Sequence, residues 1–223
     1  MHTRATLLAS LPLLLAGVAL SSSAVARDSH SAQDRVADSA SIVNQMKQDP
    51  TLAHMLEQAR GIFIIPHYGK AGFIVGGQGG GGVVMVKHDG RWSDPAFYNI
   101  GGGSIGLQAG GSGGSIAMLL MTPKAVHQFE DRSGKWSLNA NAGLNLVTYN
   151  GRANASTAGD VVIWANTRGL YGGLTAGVTD ITPDRHMDRE YYHRQVDSRD
   201  ILSGNVTVHN QAVADLRDSL KFR

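Results

Sequence analysis

The sequence predicts an α+β fold: N-terminal helices, then a strongly curved, glycine-rich antiparallel sheet, barrel-like in its tendency to close on itself, with additional flanking helices. Three observations predict it. Apolar residues before Gly61 recur at helical spacing, whereas those after it fall in short runs or in strict alternation. Eighteen of the 28 glycines lie between Gly61 and Gly114, where missing side chains permit bends and bulges. Tight turns, not alternating helices, join the strand-like runs, which argues antiparallel.

The helical stretch comes first. Val36, Ala40 and Val43 stand at i, i+4 and i+7, with Met46 one turn on, so one stripe faces inward. Asp49-Pro50 restarts the chain as a second helix, Asp49 as its N-cap and Pro50 at the first helical position. Leu52, Met55, Leu56 and Ala59 carry that stripe to Gly61.

Strands follow. Ile62-Phe63-Ile64-Ile65 is an apolar run that Pro66 is expected to close, and Phe73-Ile74-Val75 and Val83-Val84-Met85-Val86 resemble it. His88-Asp89-Gly90-Arg91 reads as a hairpin turn, because glycine tolerates the positive φ of a primed turn. Trp136, Leu138, Ala140, Ala142, Leu144 and Leu146 alternate with Ser137, Asn139, Asn141, Gly143 and Asn145, the clearest single strand in the chain. Asn150-Gly151 marks another turn, Val161 to Trp164 a further strand, and Leu170 to Val178 repeats the alternation with small residues. Thr122-Pro123 is expected to open a helix bearing Val126 and Phe129. Thr182-Pro183 opens another running through Tyr191 toward Val196, and Asn210 caps a last one with Ala212, Val213, Leu216 and Leu220 inward.

Composition bounds the function. A net charge of +2 is too small for a protein that coats nucleic acid. The absence of cysteine excludes disulfides, thiolate zinc sites, a cysteine nucleophile and a lipidated N-terminal cysteine. Residues 1–26, with Arg4, an apolar run and Ala24-Val25-Ala26, read as a signal peptide removed on export. The expected organisation is then a helical segment, 27–60, and a glycine-rich β core with flanking helices, 61–223, in one exported domain. That domain is periplasmic or secreted and not lipid-anchored.

Several motif matches are products of glycine abundance. Gly77 to Gly82 and Gly101 to Gly106 satisfy G-x-G-x-x-G, yet neither opens a helix inside a βαβ unit. Gly102 to Gly106 and Gly110 to Gly114 satisfy the nucleophile-elbow pattern, with Ser104 or Ser112 as nucleophile and Asp184 and His209 downstream. Both serines stand in β-like surroundings, so a serine hydrolase is the alternative reading. A self-associating envelope protein is a third. His186, Glu190 and His193 share one helix face, but Arg185, Asp188, Arg189 and Arg194 around them read as a solvated, salt-bridged surface and not a metal site. No cofactor is implied.

The candidate binding residues are Lys70, Lys87, Arg91 and Lys124. Lys70, Lys87 and Arg91 adjoin glycine-rich turns, where cations beside exposed N–H groups can hold a phosphate headgroup; soluble loop ends account for them equally.

The order of segments carries a resemblance. Ala59-Arg60-Gly61-Ile62, Pro66 and Lys70-Ala71-Gly72-Phe73 lead into the glycine cluster. Gly90-Arg91-Trp92-Ser93-Asp94-Pro95-Ala96-Phe97 and Gly103-Ser104-Ile105-Gly106-Leu107-Gln108-Ala109-Gly110 follow. Gly169-Leu170-Tyr171-Gly172-Gly173, Tyr191-Tyr192 and Asp200-Ile201-Leu202-Ser203-Gly204 complete the set. Together they resemble the SYLF domain, a lipid-binding module of bacterial envelope proteins and of eukaryotic membrane-traffic and actin-regulating proteins. The resemblance implies non-catalytic binding of anionic phospholipids, phosphoinositides above all, with actin filaments as a partner of some members. Asp34-Arg35-Val36-Ala37-Asp38-Ser39 departs from the lysine-rich, amphipathic first helix of eukaryotic members.

Overall fold

The computed structural model describes residues 31–73, 75–105, 110–130, 134–138, 143–149, 159–166 and 178–222. The expected signal peptide, the expected Asn150-Gly151 turn and the alternation read over 170–177 lie outside them. Helix α1 spans Ala32–Met46, and Ser31 caps it in a reciprocal box with Asp34. Helix α2 spans Pro50–Gln58, with Asp49 accepting from the Thr51 and Leu52 N–H groups. The predicted cap, Pro50 start and apolar stripes are all in place.

Strands β1 (Gly61–Phe73), β2 (Val75–His88), β3 (Arg91–Trp92), β4 (Ala96–Ile105) and β5 (Gly110–Leu120) follow. Next come α3 (Pro123–Glu130), β6 (Trp136–Ser137), β7 (Leu146–Thr148), β8 (Val161–Ala165) and β9 (Val178–Pro183). Helices α4 (Arg185–Tyr192), α5 (Ser198–Leu202) and α6 (Gln211–Ser219) complete the chain. The sheet order is β6-β9-β4-β2-β1-β5-β8-β7, with β3 hairpinned onto β2. That hairpin turns through Asp89 at φ 49° and Gly90 at φ 78°, the positive values a primed turn demands.

Four expectations need correction. Pro66 does not end its strand: β1 runs on to Phe73, because one extra residue bulges between Ile65 and Tyr68 and frees proline from the ladder. The Ser115 hydroxyl donates to the Pro66 carbonyl there, at 2.8 Å. The alternating stretch from Trp136 to Leu146 is not one strand, since β6 pairs with β9 and β7 with β8, at opposite ends of the sheet order. The sheet is mixed, because β7 and β8 run parallel. Finally, Pro183 ends β9 and Asp184 caps α4, which stops at Tyr192 when His193 turns left-handed.

Connectivity shows why the sheet curls. Ser137 and Leu146 are nine residue steps apart, a reach of about 30 Å when fully extended. A flat row of these strands would be about 34 Å from first to last at the usual inter-strand spacing. The edges must therefore approach, and the sheet is a curved half-barrel.

Both faces of its inner half are covered, which is why Ile62, Phe63, Ile64 and Ile65 are all buried instead of alternating. Helix α1 lies on β1 and β2 and packs against α6 and α4. Gly81 makes room for this: a Cβ there would meet the Arg35 guanidinium of α1. On the other face α3 sends Phe129 edge-on to Phe63 (5.5 Å) and Tyr98 (5.3 Å). The outer, glycine-rich half continues the same ladder, with Lys70 opposite Gln78 and Ser112, and Gly76 opposite Ser104.

A candidate anion-facing surface

The four central strands β1, β2, β4 and β5 carry two fixed charges, Lys70 and Lys87, and no carboxylate. The two lie far apart. Lys70 pairs with Gln78, whereas Lys87 stands nine residues farther along β2, about 30 Å at the rise of an extended strand. Arg91, across the hairpin, and Lys124, at the start of α3, belong to the Lys87 end, where Gly61, Val86 and Leu120 are in register. The sequence-predicted cations are therefore three near one end and one in the glycine-rich half.

Their chemistry also differs. The Lys87 ammonium donates to the Glu57 carbonyl at 2.8 Å and lies over the Trp92 ring. Burial lowers its pKa, partly opposed by the Glu57 carboxylate. The Lys124 ammonium donates to the Gly143 carbonyl while its side chain stays exposed. Arg91 is exposed on the short strand of the hairpin.

Ser104 and Ser112 lie within β4 and β5, each in register with a neighbouring strand. Neither occupies a strand-to-helix turn, so the nucleophile elbow is not formed. Asp184 is committed elsewhere: it accepts from Asn99 and from the Met187 N–H, and it pairs with Arg35 at 3.7 Å.

A second cationic surface was read from sequence as salt-bridged. Arg185, Arg189, Arg194 and Arg199 are exposed, and among the described residues none of their guanidinium groups has an ion-pair or hydrogen-bond partner. In this stretch only His186 and Glu190 pair, at 4.0 Å. Four arginines within 15 residues were the visible signal. Their freedom was not, because it depends on where the nearby acids turn.

Fold and surface define an α+β domain with exposed cations on a curved-sheet scaffold. The chain belongs to the Ysc84 family, described as Las17-binding protein actin regulator, which matches residues 101–222; the SYLF resemblance is thereby borne out. It is 29% identical over 168 residues to SH3 domain-containing YSC84-like protein 1 of Bos taurus, covering 72% of this chain and 48% of that protein. It is 30% identical over 162 residues to Protein YSC84 of Saccharomyces cerevisiae, covering 70% and 34%. LAS seventeen-binding protein 3 of the same yeast is 28% identical over 159 residues, covering 68% and 34%. The chain thus spans less than half the length of these relatives, of which LAS seventeen-binding protein 3 is named for binding. No solved structure matches.

Proposed function

We propose that this protein binds anionic phospholipid surfaces reversibly, phosphoinositide-like headgroups among them, without covalent chemistry and after export to the periplasm or beyond the cell. Lys70, Lys87, Arg91 and Lys124 supply the contacts. The observation that carries this reading is the charge pattern of β1, β2, β4 and β5: two cations, no carboxylate, and therefore nothing on the central sheet to repel an anionic surface. Arg91, exposed at its hairpin, is the leading contact, and Lys87 contributes least because its ammonium already serves Glu57 and Trp92.

Co-sedimentation with vesicles of phosphatidylglycerol in phosphatidylcholine tests it. Binding is expected to weaken steadily with added salt and to fall severalfold in Arg91→Ala. Replacing all four residues by alanine is expected to abolish it. Binding indifferent to both salt and the fourfold replacement would sink the electrostatic mechanism.

The family description favours a second reading, contact with actin filaments. Co-pelleting with filamentous actin in the absence of lipid decides that one.

A further inference from the structure

The sheet ends in two edges, β6 and β7, and their residues differ in kind. The β6 edge is guarded: it is two residues long, and Lys135 beside it is exposed and paired with Asp180 at 2.9 Å. The β7 edge, Leu146–Thr148, holds neither a charge nor a proline, and all three of its residues are partly exposed.

Backbone direction decides what that edge offers. The Asn145 carbonyl accepts from the Val161 N–H at 3.2 Å, and the Tyr149 N–H donates to the Ile163 carbonyl at 2.8 Å, so both face β8. With the two-residue period of a strand, Val147 faces β8 as well, and the backbone groups of Leu146 and Thr148 face away. Among the described residues, nothing bonds those outward N–H and C=O groups. A row of open backbone groups is a template for another strand.

We propose that β7 is a self-pairing edge, where a second copy of this chain docks antiparallel about a two-fold axis at Val147 and joins two sheets into one. In that register Leu146 exchanges both backbone bonds with the partner's Thr148, and Thr148 does the same with the partner's Leu146. The two Val147 side chains meet as the close, non-hydrogen-bonded pair. Every outward N–H and C=O of the strand is then satisfied. Leu-Val-Thr offers a foreign strand no charge to recognise, whereas its open groups complement themselves and no charge opposes its own copy. A contact in which the same residues face each other closes at two copies. The inference uses none of Lys70, Lys87, Arg91 and Lys124 and stands independently of the anionic-surface reading.

Light scattering over a concentration series is expected to show the mass rising from one chain to two, a change of about twofold, and no further. Thr148→Pro removes one outward N–H and leaves the β7–β8 ladder whole, so it is expected to hold the mass at one chain. Thr148→Lys keeps that N–H and guards the edge with charge; it is expected to weaken pairing about tenfold at an unchanged melting temperature. Adding Leu146→Glu to Thr148→Lys is expected to restore pairing, because the introduced charges then stand opposite each other across the axis. A single chain at every concentration overturns the inference, as does a dimer indifferent to both Thr148 variants or a mass that climbs past two chains. A single chain that instead takes up a free valine-threonine peptide assigns the edge to a foreign strand and overturns the second copy.

Discussion

Asp188 sits in α4 with none of its surface exposed, its carboxylate holding the Phe97 N–H and the Ser198 hydroxyl at 2.9 Å each. Burial pushes its pKa up to about 7; the two hydrogen bonds oppose the shift, and Asp184 and Asp197 add to it. The folded state thus keeps a proton that the unfolded chain releases near its ordinary value. Stability is greatest where both states are protonated, falls as pH rises from about 4 to about 7, and is flat above, a loss on the order of 4 kcal/mol from this group. Burial raises Asp94 in the same direction, against its Arg217 ion pair and the Val208 N–H. Urea unfolding of Asp188→Asn across that range is expected to show a distinctly flatter profile; an unchanged slope would remove Asp188 as its source. The sequence showed Asp188 only as one charge among arginines, because its burial is decided by β4 and α5, distant in the chain.

At the scale of elements, what local chemistry decides was legible and what pairing decides was not. Asp49 and Asn210 were readable as caps because a side-chain oxygen and its N–H partner lie within one turn. Asp89-Gly90 was readable for the same reason. The Trp136 to Leu146 stretch misled because alternation reports a strand-like rhythm but neither continuity nor partner, and Pro66 misled because a bulge can absorb a missing donor. Of the site, the cations were legible as residues, but the engagement of Lys87 and Lys124 with distant carbonyls was not. The Asn210 cap supports a helix on which α1 depends: α6 packs on α1, and Lys47 donates to the Ser219 and Lys221 carbonyls. Asn210→Ala is expected to cost about 1 kcal/mol in chemical denaturation, and Asn210→Asp much less.

For the molecule as a whole, the inner half of the sheet is a double-sided core, and the outer half extends that ladder in glycine. The inner half carries α1, α6 packs on α1, and Arg217 of α6 reaches buried Asp94 at 2.6 Å. A cationic surface borne on such a frame can meet a partner without the core giving way. The short link from β6 to β7 has a further consequence, for tolerance of length change. Two residues removed from it would shorten its reach by about 7 Å and require the two edges to lie closer still. Two residues added would only slacken it, at well under 1 kcal/mol of closure entropy. Thermal melting is expected to fall for the deletion and scarcely move for the insertion.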